Sequence, residues 1–179
     1  PDEARYRAIL IRPFVSRKYA ADLAVRAIVA LSARPVFERM EFTIIGDGPM
    51  FEEITAPVRN LSNCRIERRM LGQEEMPEYF SQHGQILIPT RQDAQGVTMC
   101  EAMSTGLVPI TSWSTAIPEF VEHGVSGLLA RSPRGLARAM ERVAESADLF
   151  RRLSEHASAA IQAKAGSSAV IDSELDVIR

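Results

Sequence analysis

Residues 86–112 read ILIPTRQDAQGVTMCEAMSTGLVPITS, and this stretch decides the fold. It begins with an apolar run, Ile86 to Pro89, and ends with a second one, Leu107 to Ser112. Between them, residues 96–105 have the composition and length of a helix. A strand, a helix and a second strand in this order predict two parallel strands joined by a right-handed crossover.

The rest of the chain repeats this alternation. The predicted strands lie at 7–11, 41–49 (ending in a glycine turn), 64–71, 85–89, 107–112 and 127–130. The predicted helices lie at 19–32, 50–60, 73–82, 96–105, 116–124, 134–147, 148–164 and 171–178, with a linker-like stretch at 165–168. Continuous apolar strands are typical of a sheet covered on both faces. We therefore predict an α/β fold, a Rossmann-like doubly wound parallel sheet of about six strands.

Composition limits the function classes. The chain has 179 residues, 46% of them hydrophobic and 25% charged, which suits one globular domain. Its net charge of -2 argues against a nucleic-acid binder. It contains no long apolar run and no signal-peptide pattern, and its two cysteines, Cys64 and Cys100, are expected to be reduced core residues. The expected location is the cytoplasm.

The predicted helix after the fourth strand could bind an anion and two polyols. Gly96, Val97 and Thr98 lie at its N-terminus, where unpaired backbone amides and the helix dipole favour negative charge. Asp93 and Glu101, on either side, can each accept hydrogen bonds from adjacent hydroxyls. A nucleotide sugar would fit such a site, with one acid binding its ribose, the amides its diphosphate and the other acid its hexose. Alternatively, Asp93 caps the helix and Glu101 is solvated.

A basic loop follows the first predicted strand. Arg12 ends that strand, and Arg17 and Lys18 lie in the loop or first helical turn. A guanidinium can bind phosphate in a bidentate manner, and an ammonium acts as a point charge. The alternative is that these cations are solvated loop residues.

GDGP at 46–49 partly matches a dinucleotide fingerprint. Gly46 and Gly48 supply G-x-G, but Phe51 replaces the third glycine. Glu67 falls about 20 positions later, as a ribose-binding acid would, although inside a predicted strand. Gly46 could let a ligand approach the backbone. The alternative is a tight turn between strand and helix.

The motif ILIPTRQDAQGVTMCEAMSTGLVPITS, followed by AIPEFVEHGVSGLLA, resembles the C-terminal domain of group 1 glycosyltransferases (glycosyltransferase family 4), which have the GT-B fold. FTIIGDGP and the basic loop before DLAVRAI match in the same order. The resemblance covers residues 6–165. It implies a donor-binding domain at 1–165, a C-terminal helix or tail at 166–179 that returns to the other domain, and an N-terminal acceptor domain absent from this chain.

The resemblance also implies roles for single residues. The family has two acids separated by seven residues, which Asp93 and Glu101 match as donor-sugar and ribose ligands; Gln95 stands where a phenylalanine is usual. Arg12 matches the family's diphosphate-binding arginine. For its lysine, Arg17 has the right spacing and Lys18 the right chemistry, so both remain candidates. The implied catalytic set is Asp93, Glu101, Arg12 and Lys18, and the implied donor-binding set is Arg17, Gly46, Met70, Leu71, Gln95, Gly96, Val97 and Thr98.

The implied activity is retaining transfer of a hexose from a UDP- or GDP-sugar to a glycan or glycolipid acceptor. No cofactor and no metal are expected. The chain alone would be catalytically incomplete, and membrane association would occur only through the missing domain. Trp113, after the fifth strand, either lines the cleft or packs. The alternatives are a non-catalytic Rossmann-like nucleotide-binding module and a nucleotide-sugar epimerase of GT-B architecture.

Overall fold

Six parallel strands form the sheet that the sequence predicts. The computed structural model describes residues 2–92, 96–114 and 116–177, with side chains to residue 164. The strands are β1 (Arg7–Ile11), β2 (Glu41–Gly46), β3 (Cys64–Arg68), β4 (Gln85–Leu87), β5 (Val108–Ser112) and β6 (Leu128–Ala130). Their order is β3-β2-β1-β4-β5-β6, so the predicted doubly wound sheet is confirmed. The order reverses between β1 and β4, and the helices that follow these two strands lie on opposite faces of the sheet.

Helices cover both faces of the sheet. They are α1 (Ala21–Leu31), α2 (Phe51–Thr55), α3 (Met76–Gln82), α4 (Val97–Ser104), α5 (Ile117–Phe120), α6 (Pro133–Glu145) and α7 (Ala147–Val177). Short 3₁₀ turns span Asp2–Tyr6, Arg17–Tyr19, Pro35–Arg39 and Ala56–Val58. Helices α1 and α6 pack together, as do α4 and α7.

Two apolar clusters form the core because neighbouring strand residues face opposite sides. Leu10 and Ile44 lie in one cluster with residues of α1 and α6. Ile9 and Ile45 lie in the other, with Met103 of α4. Each face of the sheet is covered by one of these clusters, which explains why the strands are apolar on both faces.

The structure corrects the predicted C-terminal break. Helix α7 runs without interruption through 165–168, where a linker was expected, and through the predicted start of a separate helix at 171. The stretch AGSSAV has a single glycine, Gly166, and its alanines are strong helix formers. One glycine costs a helix only about 1 kcal/mol, which the flanking turns offset.

Several other element ends differ from the sequence prediction, among them those of β3 and α5. Strand β3 stops at Arg68 rather than at residue 71; the Arg69 N–H still donates to the Gly46 carbonyl (3.0 Å) before the chain turns. Helix α5 is only four residues long because the chain folds back, with Gly124 N–H donating to Gly127 O at 2.8 Å.

Both cysteines are half-buried and pack at the margin of the core rather than inside it. Burial raises the pKa of the Cys64 thiol to about 11. No helix in the described part of the chain is long and apolar enough to cross a membrane.

Candidate functional site

The loops after β1 and β4 are bonded to each other at the carboxyl edge of the sheet. The carbonyl of Lys18 accepts the backbone N–H groups of Arg91 (2.9 Å) and Gln92 (3.3 Å). The Arg91 guanidinium also donates to the Arg17 carbonyl at 2.7 Å. These bonds bring the predicted basic loop beside the chain that leads to Asp93, which itself lies outside the described residues.

A bidentate ion pair between Arg91 and Asp22 secures this junction. The guanidinium nitrogens lie 2.7 and 2.8 Å from the two carboxylate oxygens of Asp22, in the first turn of α1. The hydrogen bond from Arg91 holds the pKa of Asp22 below its usual range, despite burial. Sequence reasoning missed this pair, because the two residues are far apart in the chain; only their positions after neighbouring strands could have suggested it.

Arg12 lies between the two central strands. It is 7% exposed, and its guanidinium donates to the carbonyls of Ile88 (3.3 Å) and Pro89 (3.2 Å). These hydrogen bonds hold the Arg12 guanidinium against the chain that follows β4, next to the crevice. Arg12 directly follows β1, at the carboxyl edge of the sheet, and its role as a diphosphate ligand stays a prediction.

Arg17 and Lys18 differ in their surroundings although both are exposed. Arg17 pairs with Glu53 at 2.8 Å and approaches Asp22 at 3.5 Å. The ammonium of Lys18 lies 4.8 Å from the centre of the Tyr19 ring, and no carboxylate of the described residues lies within ion-pair distance. The charge of Lys18 is therefore less compensated than that of Arg17.

Helix α4 begins at a glycine in the left-handed region. Gly96 has φ 46° and ψ 48°, and as a glycine it supplies no side-chain cap to the amides that follow. An added Cβ would find ordinary contacts at 3.4 Å or more, so backbone conformation rather than space favours glycine. Gly96 is buried, Val97 is exposed and Thr98 is half-buried. Gln95 lies outside the described residues.

The loop after β3 reaches the same edge as Glu101. Glu101, half-buried on α4, accepts a hydrogen bond from the Gln73 side chain at 3.4 Å. Just before Gln73, Met70 is 67% exposed, and Leu71 packs against the second core cluster. The segment expected to meet a nucleotide base therefore lies beside the acid expected to meet its ribose.

The structure changes the interpretation of the GDGP turn. A Cβ on Gly46 would lie 2.0 Å from the Arg12 carbonyl and 2.6 Å from the Phe14 ring, so the chain itself occupies the space expected for a ligand. A Cβ on Gly48, at φ 146°, would lie 2.4 Å from the Phe14 carbonyl carbon. Both glycines permit close packing of this turn on the loop after β1. Gly46 was expected to let a ligand approach the backbone where its Cβ is missing. That expectation is wrong, because Arg12 and Phe14 fill this space.

Glu67 does not have the surroundings of a dinucleotide ribose ligand. Burial would raise its pKa, but hydrogen bonds from Arg69 (3.0 Å) and Tyr79 (3.0 Å) outweigh that effect and lower it. A carboxylate so engaged within the chain has few oxygen lone pairs left for a ribose.

These features agree with the comparison with known sequences. Residues 7–146 match the family model described as Glycosyl transferases group 1. The chain belongs to this family. Among curated group 1 relatives, the amylovoran biosynthesis glycosyltransferase AmsK of Erwinia amylovora is 34% identical over 108 residues, 56% of this chain and 26% of that protein. N-acetyl-alpha-D-glucosaminyl L-malate synthase of Bacillus anthracis is 29% identical over 139 residues, 74% and 36% of the two chains.

Solved structures of other proteins show the same fold. Staphylococcus aureus TarM, in a complex that includes UDP, aligns with a TM-score of 0.80 and 17% identity over 97% of this chain and 35% of TarM. The C-terminal domain of LpcC, a group 1 family protein of Francisella tularensis, aligns with a TM-score of 0.74 and 16% identity over 92% of each chain. The chain thus has the fold of a group 1 C-terminal domain and spans about a third of the length of the curated relatives it matches.

Proposed function

We propose that this chain is the nucleotide-sugar donor domain of a retaining glycosyltransferase that transfers a hexose to a glycan or glycolipid. The observation that supports it most is the junction at the switch point. There, the N-terminus of α4, the buried Arg12 and the exposed Lys18 lie at one edge of the sheet, linked through Lys18 and Arg91. Ligands of doubly wound sheets bind at such an edge.

In this proposal the diphosphate lies at the N-terminus of α4. The amides after Gly96 donate to it, and the helix dipole favours its charge. Lys18 supplies the loop cation in preference to Arg17, because Glu53 and Asp22 already compensate the arginine. Positive groups held in place stabilise the leaving diphosphate as the glycosidic bond breaks. No metal is required for this step.

The two ends of the donor flank the diphosphate. Glu101 accepts the ribose hydroxyls, and the chain at Met70 and Leu71 meets the base. Asp93 contacts the hexose. Uridine is the base we test first, since the TarM complex includes UDP.

We further propose that residues 1–165 form the donor domain and that 166–179 reach toward an N-terminal acceptor domain. The acceptor would bind between the two domains, so the chain alone would bind donor without turning it over. The complete protein would act in the cytoplasm, and any membrane association would come from the other domain.

Calorimetric titration with UDP, GDP, ADP and NAD tests the proposal. We expect saturable binding of UDP or GDP, weakened about tenfold or more by Lys18→Met and by Glu101→Gln, since each removes a charge-assisted hydrogen bond. Glu155→Gln, on the exposed side of α7, is the matched control and should leave affinity unchanged. A folded chain that binds neither UDP nor GDP would refute the proposal. Binding of NAD alone would support the nucleotide-module alternative instead.

A further inference from the structure

An exposed tryptophan lies at the carboxyl edge of the sheet. Trp113 is the only tryptophan of the chain, directly follows β5 and is 41% exposed. Its ring centre lies 5.4 Å from the Arg131 guanidinium carbon and 5.5 Å from the centre of the His123 ring. The ring is therefore held by neighbours while much of its surface stays open. A rigid aromatic surface gives contact area at a small cost in conformational entropy.

A cleft of about 300 Å³ opens beside this ring. Leu23 and Leu136 are among its apolar lining residues, and Ser112 and Ser132 are among its polar ones. This volume is at the lower end of ligand pockets, which hold about 300–1,000 Å³. An aromatic ring, apolar lining and several hydroxyls suit one sugar residue, which has both C–H faces and hydroxyl groups.

The charge of the cleft is positive. It is lined by two arginines, Arg91 and Arg131. Asp22 neutralises Arg91 through the bidentate pair. No carboxylate of the described residues lies within ion-pair distance of Arg131, whose contact there is with the Trp113 ring. A guanidinium over a ring keeps the N–H groups at its edge for a carboxylate or phosphate.

The cleft adjoins the candidate donor site. Arg91 borders both, because its backbone N–H binds the Lys18 carbonyl while its side chain lines the cleft. The Ser114 hydroxyl donates to the Arg91 carbonyl at 3.0 Å and joins the loop after β5 to this junction. A ligand in the cleft would thus lie next to the donor, where a second substrate is needed.

We propose that Trp113, Arg131 and this cleft bind an anionic sugar residue of the acceptor glycan. The inference rests on the proposed transferase function, and it assigns part of acceptor recognition to this domain. The Trp113 ring and the cleft walls contact the sugar, and Arg131 pairs with its carboxylate or phosphate group. The donor diphosphate occupies a different place, at the N-terminus of α4.

Because the chain has one tryptophan, its fluorescence reports on this site directly. The chain is titrated with glucuronate, glucose 6-phosphate and glucose to about 100 mM, well above a millimolar Kd, at matched ionic strength. We expect a saturable change in fluorescence with at least one of the two anionic sugars, and at least fivefold weaker binding of glucose. Comparison of the two anionic sugars shows whether the site prefers a carboxylate or a phosphate. Arg131→Gln should weaken anionic-sugar binding about tenfold, and Arg138→Gln, on the exposed side of α6, should not.

The inference would be overturned by any of three results. These are no saturable response to either anionic sugar, equal effects of Arg131→Gln and Arg138→Gln, or complete displacement of the sugar by UDP. The calorimetric UDP titration separates the two proposals. UDP binding without a sugar response overturns the acceptor subsite alone, and a sugar response without UDP or GDP binding overturns the donor-domain proposal.

Discussion

Replacing Asp22 by asparagine tests whether the junction between the loops after β1 and β4 depends on the Asp22–Arg91 pair. The amide of asparagine keeps the size of the side chain and removes its charge. It can still accept a single hydrogen bond from Arg91, but the bidentate, charge-assisted arrangement at 2.7 and 2.8 Å is lost.

The magnitude follows from the exposure of the two partners. The side chain of Asp22 is 12% exposed and that of Arg91 is 39% exposed. Hydrogen bonds to charged groups contribute about 1.5–3 kcal/mol each where they are protected, and exposed pairs contribute about 0–1 kcal/mol. With one partner buried and the other screened, we expect Asp22→Asn to lower the free energy of unfolding by about 1–2 kcal/mol.

Urea denaturation at pH 7 measures this change, with Asp148→Asn as the matched control. Asp148 also pairs with an arginine, Arg151, but its side chain is 86% exposed, so its loss should cost less than about 0.5 kcal/mol. The hydrogen bond from Arg91 lowers the pKa of Asp22, so its stabilisation is present above the unfolded carboxyl pKa of about 3.9 and is lost as pH falls through the folded value. The difference between wild type and Asp22→Asn should therefore shrink below about pH 4.

The same variant should weaken UDP binding about three- to tenfold, a loss of about 0.7–1.4 kcal/mol, because the Lys18 loop is less firmly placed. If Asp22→Asn is no more destabilising than Asp148→Asn, the pair does not secure the junction. If it is destabilising but leaves UDP affinity unchanged, the junction is structural and does not position the phosphate ligand.

Two other predictions concern packing and pH. Gly46→Ala should lower the free energy of unfolding, measured by urea denaturation, by at least about 3 kcal/mol, because its Cβ would lie 2.0 Å from the Arg12 carbonyl. Gly124→Ala, which has a positive φ but no atom within 4 Å of the added Cβ, should lower it by only about 1 kcal/mol, and equal losses would contradict the packing argument. Burial lowers the pKa of His83, so its neutral form stabilises the fold above the unfolded pKa of about 6.5, and stability should fall by up to about 1.4 kcal/mol per pH unit below it. His83→Gln should flatten this slope between about pH 7 and pH 5.5, and an unchanged slope would show that another group titrates.

The position of the candidate site was predictable from local patterns. The glycine before α4 and the basic residues after β1 lie where apolar strands end, and parallel strands end at a common edge. The roles of individual residues were less predictable. In the sequence, spacing favours Arg17 and chemistry favours Lys18, and the structure distinguishes them by the ion pairs of Arg17 with Glu53 and Asp22.

The sequence by itself determined the alternation of strands and helices, because hydrophobic periodicity is a local property that neighbouring residues share. It also determined the family, through motifs that lie in order along the chain. The tertiary structure alone decided that the missing Cβ of Gly46 accommodates Arg12 and Phe14 rather than a ligand, that Arg91 holds Asp22, and that Trp113 lies open beside Arg131. Each of these depends on distances between residues far apart in the chain, which periodicity and spacing do not carry.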